Sequence, residues 1–135
     1  MNIFNFLTPK SGTFYLDTDS TVRMAAEKFD YHKFSVVPVL DAEGRYVTTV
    51  SEGDILRYIK KVGKFDVADA EKVYIKDIEK YRPYTAADLR TPLDTIFKLS
   101  MSQNFVPVVD DRNAYIGIIK RRSIIEYLYN KQNNE

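Results

Sequence analysis

The sequence predicts an α/β (α+β) fold in which one β-α-β-β-α unit is used twice, the two copies packed with pseudo-two-fold symmetry. The first observation is a repeat. Val37-Pro38-Val39-Leu40-Asp41 returns as Val106-Pro107-Val108-Val109-Asp110, and Tyr46-Val47-Thr48-Thr49-Val50 returns as Tyr115-Ile116-Gly117-Ile118-Ile119, each residue 69 positions on and without a gap. The second is a pair of apolar helical stripes ahead of these runs, Val22, Ala25, Ala26, Phe29 and Leu93, Ile96, Phe97, Met101. A chain that repeats itself in register builds one supersecondary unit twice. Two such units meeting face to face enclose two clefts, which are the expected place for function.

Taken in order, the first copy starts with a short strand near residues 13–16. A helix over residues 21–31 follows, with Asp19 or Ser20 available as its cap. Residues 35–40 form a β-rich run with a proline near its start, where a missing N–H is tolerable. Asp41-Ala42-Glu43-Gly44 is turn chemistry leading into the strand at residues 46–50, and Ile55, Leu56 and Ile59 mark a last helix. Neither strand alternates cleanly, as expected of strands buried on both faces.

The second copy repeats this order, with a strand near residues 84–86 and a helix opened by Thr91-Pro92-Leu93-Asp94, a cap, a first-turn proline and an acidic residue. Phe105–Val109, a turn at Asp110-Asp111-Arg112-Asn113, a strand at residues 115–119 and a helix marked by Ile124, Ile125 and Leu128 complete it. The boundaries that follow are 8–62 for the first repeat, 63–82 for a connector, 83–129 for the second repeat and 130–135 for a polar, fraying tail. Val67, Ala70, Tyr74, Ile78 and Tyr81 keep near-helical spacing in the charged connector, which predicts a packed, partly helical segment and not a flexible linker.

Composition bounds the function. At 135 residues the chain buries roughly two-thirds of its unfolded surface, enough for a core without staples. It has no cysteine, so disulfides and thiolate metal sites are excluded. The net charge of +1 argues against a large electrostatic footprint for nucleic acid or an anionic membrane. No stretch approaches the apolar length of a membrane span, residues 1–12 lack the pattern of a signal peptide, and the expected location is cytoplasmic. His32 is the single histidine and is expected at the surface, since metal binding would need a cluster. Asp41 and Asp110 read as turn residues bonding their own backbone. The ten tyrosines and eight phenylalanines read as core, with no basic face or stacking motif to suggest RNA. No Ser-His-Asp set, glycine-rich phosphate loop, catalytic carboxylate pair or metal-ligand run is present, so the chain is not expected to be an enzyme.

Chemistry concentrates at Ser51-Glu52-Gly53-Asp54, where a strand ends at a helix N-terminus. That junction offers unpaired N–H groups and a positive dipole end, and a carboxylate there can accept the hydroxyls of a ribose. Ser-x-x-Asp before an apolar run is equally a capping box that needs no ligand. The aligned second copy reads Lys120-Arg121-Arg122-Ser123. Its three cations suit phosphate oxygens or form a solvated basic edge, and Ser123-x-x-Glu126 is a second candidate capping box.

At these residues the chain resembles a tandem pair of cystathionine-β-synthase (CBS) domains, a Bateman module. The family pattern is an amphipathic helix, hydrophobic-Pro-Val-hydrophobic-Asp, a turn, then hydrophobic-Gly-hydrophobic-hydrophobic-Thr/Ser-x-x-Asp opening a helix, and the resemblance covers about residues 8–129. It implies a regulatory or sensor module that binds an adenosine-containing nucleotide (AMP, ADP, ATP or a cyclic dinucleotide) in the cleft between repeats. It also implies a homodimer that reports occupancy to a regulated protein in trans; no cofactor, metal or nucleic acid is expected from the composition and motifs above. By matching position, Ser51 and Asp54 take the ribose, the segment Ser35, Val36, Val37 and Pro38 edges the adenine pocket, and Arg121 and Arg122 lie near phosphates. Thr48 departs from the family glycine, and Lys120 and Ser123 depart from its threonine and aspartate. The expectation is one competent site at Ser51 and Asp54 and a second that is degenerate or receives phosphate. The alternative is a scaffold that binds no ligand and mediates dimerisation or binds a partner protein.

Overall fold

The computed structural model describes residues 2–134. In chain order the elements are β1 (Leu7–Pro9), β2 (Leu16–Asp17), α1 (Val22–His32), β3 (Val36–Leu40), β4 (Tyr46–Ser51), α2 (Glu52–Val62), α3 (Val67–Ala70), α4 (Leu93–Leu99), β5 (Phe105–Val109), β6 (Tyr115–Lys120) and α5 (Arg121–Asn133), with single 3-10 turns at Ile3–Asn5, Lys10–Gly12 and Ile75–Asp77. They form two compact units, one of Phe14–Pro83 and one holding the chain up to Thr13 and again from Tyr84 onward.

In the unit Phe14–Pro83, β2 runs parallel to β3 and β3 antiparallel to β4, with a register shift between Val39 and Leu40. The strand expected near residues 13–16 sits later, at Leu16–Asp17. The cause is local: the Lys10 carbonyl accepts from both the Thr13 amide (3.0 Å) and the Thr13 hydroxyl (2.8 Å), closing a turn there. The α1 stripe buries Val22, Ala25 and Phe29 with Leu16, Val37, Val39, Val50 and Ile55, while Ala26 stays exposed. Its cap is Thr21, whose hydroxyl accepts from the Met24 amide, and neither Asp19 nor Ser20 takes that role. Ser20 instead accepts the Asp17 amide. At the β3–β4 turn, Asp41 Oδ1 accepts the amides of Glu43 and Arg45, both at 2.9 Å.

The connector packs into this unit, but not as one amphipathic helix. Its single α-turn is closed by a reciprocal Asp66/Asp69 capping box. Beyond it the backbone turns extended, so that Tyr74 bridges Thr21 and the Ile75 amide donates to the Ser20 carbonyl at 2.8 Å. Ala70, Ile75 and Ile78 are buried as a result, whereas Val67, Tyr74 and Tyr81 from the expected stripe are exposed.

The other unit has sheet order β1-β6-β5, all antiparallel, with a register shift between Val108 and Val109 that matches the one in the first sheet. The N-terminal strand therefore belongs to the sheet of the second repeat: Leu7, Thr8 and Pro9 pair with Ile119, Ile118 and Gly117. Gly117 is what this crossing requires. Its φ is +152°, and a Cβ there would lie 2.1 Å from the Thr8 carbonyl oxygen. Thr48, at the matching position of the first repeat, lies on β4, which has no second strand beside it in its own sheet. The departure from glycine thus follows strand environment.

Where a strand was expected near residues 84–86, a single parallel bridge joins Ala87 and Val108. The core of this unit is Ile3, Phe6, Ala87, Ile96, Val106, Val108, Ile119 and Ile124. Asp110 repeats the turn of Asp41, its Oδ1 accepting the amides of Arg112 and Ala114, both at 2.9 Å. Helix α4 begins after Pro92, one residue later than the motif suggested, and the Thr91 hydroxyl accepts from the Asp88 amide. The capping box expected at Ser123 and Glu126 does not form. Helix α5 starts at Arg121, directly off β6, with Lys120 as an N-cap lacking a side-chain bond, and Ser123 falls inside the helix.

Candidate functional site

In the first repeat, the start of β3, the end of β4 and the first turn of α2 converge. Val36 pairs with Ser51 across the sheet, and the Glu52 amide donates to the Ser35 carbonyl at 3.0 Å. Ser35, Val36, Ser51 and Asp54 are thereby brought together, while Val37 and Pro38 continue β3 into the core. Ser51 and Asp54 do form the capping box: Ser51 Oγ accepts from the Asp54 amide (3.1 Å) and Asp54 Oδ2 accepts from the Ser51 amide (2.9 Å).

Asp54 does more than cap. It is only 4 % exposed, and its Oδ1 accepts a third bond, from the Tyr81 amide at 3.0 Å. A carboxylate buried this far needs such donors, because an unpaired buried charge is costly. The Tyr81 ring lies under the Arg57 guanidinium at 4.7 Å, and the half-buried Lys80 ammonium donates to the Ile75 carbonyl. Burial holds Lys80 below the usual lysine range, with Asp54 and Asp77 pulling the other way. Burial and then a hydrogen bond with Glu79 raise the Tyr81 phenol above its ordinary value. Together Asp54, Tyr58, Lys61, Asp77, Glu79 and Tyr81 line a cavity of about 350 Å³. Sequence reasoning missed Tyr81 and Lys80 as parts of this site. The tie to Asp54 is made by a backbone N–H, which leaves no mark in residue type.

The junction in the second repeat has the same backbone and different chemistry. Phe105 pairs with Lys120, and the Arg121 amide donates to the Asn104 carbonyl at 3.0 Å, as Glu52 does to Ser35. The three cations diverge. Lys120 is exposed, Arg121 Nε donates to the Ser100 carbonyl at the end of α4 (2.7 Å), and Arg122 pairs with Glu126 at 2.8 Å on the helix surface. Gln103, not singled out from sequence, is buried just before β5. Its Oε1 accepts from the Thr85 amide (2.8 Å), and its Nε2 donates to the carbonyls of Thr85 (3.1 Å) and Phe105 (3.2 Å). It takes the place of the strand expected at residues 84–86.

Phe34 holds the position in the first repeat that matches Gln103, and it packs on Phe14 at 4.9 Å between ring centroids. His32 joins these rings, 4.1 Å from Phe14 and 5.4 Å from Phe34. It is half-buried, not the free surface residue the sequence suggested. Among the described residues no group of three His, Cys, Asp or Glu is placed to hold a metal, and no helix is long and apolar enough to cross a membrane.

Comparison with known proteins agrees with this duplicated geometry. The crystal structure of CbpB in complex with c-di-AMP superposes with a TM-score of 0.87 at 23% identity, covering 99% of this chain and 88% of that one. The Listeria monocytogenes CbpB protein in complex with c-di-AMP gives 0.82 at 19% identity, covering 98% of each chain. CBSX2 in complex with AMP gives 0.73 at 20% identity, covering 97% of this chain and 98% of that one. A search of curated proteins returns no match. The CBS domain family model matches twice, over residues 9–61 and 75–130, one match on each half of the duplication. The chain belongs to the CBS domain family and carries its repeat as a tandem pair.

Proposed function

We propose that this chain is a regulatory module that binds an adenosine-containing nucleotide and performs no catalysis itself. The observation that carries the reading is the buried Asp54 carboxylate at the β4–α2 junction, beside Ser51 and the Ser35 and Val36 backbone, in a fold whose relatives include complexes with c-di-AMP and AMP. Asp54 and Ser51 receive ribose hydroxyls and the backbone from Ser35 to Pro38 edges the adenine, while Lys120, exposed at the β6–α5 junction of the second repeat, is a cation available to phosphate. Arg121 and Arg122 contribute positive potential while held by Ser100 and Glu126. The module works in the cytoplasm as a homodimer and signals occupancy to another protein. That signal arises because the ligand binds one of two conformational states more tightly.

Titration calorimetry with AMP, ADP, ATP and c-di-AMP tests the proposal. At least one is expected to bind, and Asp54→Asn is expected to weaken it roughly tenfold or more, the scale of one hydrogen bond to a charged group. Undiminished affinity in that variant removes the ribose assignment. A second reading, a scaffold without ligand, is favoured by one observation: both Asp54 oxygens already have donors within the fold. No thermal shift with any of the four nucleotides, together with a dimer in sedimentation, would establish it.

A further inference from the structure

Asp54 ties together two segments of different character. Through Oδ2 it holds the Ser51 amide at the end of a paired strand, and through Oδ1 it holds the Tyr81 amide in the connector. A carboxylate has about four lone-pair positions, so two remain, but at 4 % exposure they are nearly closed, open only toward the cavity that Glu79 and Tyr81 line with Asp54. A ribose hydroxyl gains full access to this carboxylate when a neighbour moves. Ser51 is fixed by its pairing with Val36 and by the cap it makes to α2. Residues 79–83 are not: they contain no helix or strand, and Glu79, Tyr81, Arg82 and Pro83 are exposed. Among the described residues, other ties of this stretch are the Lys80 ammonium on the Ile75 carbonyl, the Tyr81 phenol with Glu79 and the Tyr81 ring under Arg57. From this stretch the chain runs straight into Tyr84, where the other unit resumes.

We propose that residues 79–82 form a strap over Asp54, and that the ribose hydroxyls of an adenosine ligand displace it by competing with the Tyr81 amide for the carboxylate. Ligand occupancy is then written into the connector itself. The proposal rests on the nucleotide reading above and adds how the site reports. It also sets a preference among ligands: a mononucleotide with a free 2′,3′-diol opens the strap more fully than a 3′,5′-linked cyclic dinucleotide, whose riboses each keep one free hydroxyl.

Amide hydrogen exchange on the full chain tests this. With saturating AMP, exchange at the Tyr81 amide is expected to rise roughly tenfold or more, the worth of one charge-assisted hydrogen bond, while the Ser51 amide stays protected. The 2′,3′-dideoxy analogue of AMP is expected to leave Tyr81 unchanged. A Tyr81 amide that is unmoved or slowed at saturating AMP overturns the strap. Tyr81→Pro, which deletes the N–H and keeps Asp54, is expected to bind AMP about tenfold more tightly by the same measure; weaker binding by this variant in its folded state also counts against the strap. Failure of every adenine nucleotide to bind in calorimetry removes the site reading and the strap with it, whereas binding beside an unmoved Tyr81 amide removes the strap alone.

Discussion

Replacing Asp54 should destabilise the first repeat far more than replacing its capping partner Ser51. Ser51→Ala removes one side-chain acceptor at a helix N-terminus and is expected to cost about 1 kcal/mol. Asp54→Ala removes the acceptor of two backbone amides, those of Ser51 and Tyr81. It also takes a negative charge from the first turn of α2 and the carboxylate that offsets the half-buried Lys80 ammonium. Hydrogen bonds to charged groups are worth about 1.5–3 kcal/mol, and a first-turn carboxylate adds about 0.3–1 kcal/mol through the helix dipole. The exposed connector lets the Tyr81 amide regain water, which keeps the sum at about 2–4 kcal/mol. Asp54→Asn keeps one acceptor but turns an NH2 group toward the other amide, so it should recover no more than half of that loss. Urea unfolding followed by far-UV circular dichroism and tyrosine fluorescence, the chain having no tryptophan, measures all three. The reasoning fails if Asp54→Ala moves the midpoint no further than Ser51→Ala at an unchanged slope.

Gly117→Ala should cost about 1–3 kcal/mol, because a Cβ at that φ drives against the Thr8 carbonyl. Amide exchange of residues 2–13 is expected to rise with it, whereas Thr48→Gly at the matching position should cost only about 0.5–1 kcal/mol. Gln103→Leu leaves the Thr85 amide and two carbonyls without the partner that now holds them, so a loss of about 2–3 kcal/mol is expected in urea unfolding. Asp41 titrates below its ordinary 3.8, chiefly because the Arg45 amide donates to its carboxylate. Since the folded value is depressed, the stability it contributes is fully present above the ordinary value and lost as pH falls through the lowered one. Asp41→Asn should therefore flatten the fall in urea midpoint below about pH 4 and leave the rest of the profile unchanged.

The strand-turn-strand of each repeat was legible because its signals are local. Asp41 and Asp110 declare a turn through bonds to amides two and four residues on, and valine runs around a proline declare a buried strand. The partner of β1 was not legible. Leu7-Thr8-Pro9 carries no local mark of a strand, and its pairing with β6 spans more than a hundred residues. One trace did exist, in the contrast of Gly117 with Thr48: a glycine at one copy of a duplicated strand marks where another backbone passes close. The box at Ser123 and Glu126 misled because capping chemistry was read apart from the strand that feeds it. The end of β6 fixes where α5 begins, and a serine three residues on cannot move it.

The site divides along the same line. Ser51 and Asp54 were legible as a pair, and the structure joins them as a capping box. Their spacing serves both a cap and the proposed ribose receptor, and the structure shows the cap formed together with one further contact of the carboxylate. A cap alone requires one oxygen of Asp54. The other is taken by the connector, 27 residues away, which a capping role does not call for. At Ser123, the aligned residue in the second repeat, the helix starts equally well with no side-chain cap. A junction of this kind can therefore start a helix without a side-chain cap, although this one draws stability from its aspartate. Asp54 is thus a buried carboxylate where the twin junction has none, tied to the segment that leads on to Tyr84, and competition for that tie is what distinguishes the proposed ligand site from a helix cap in the exchange experiment.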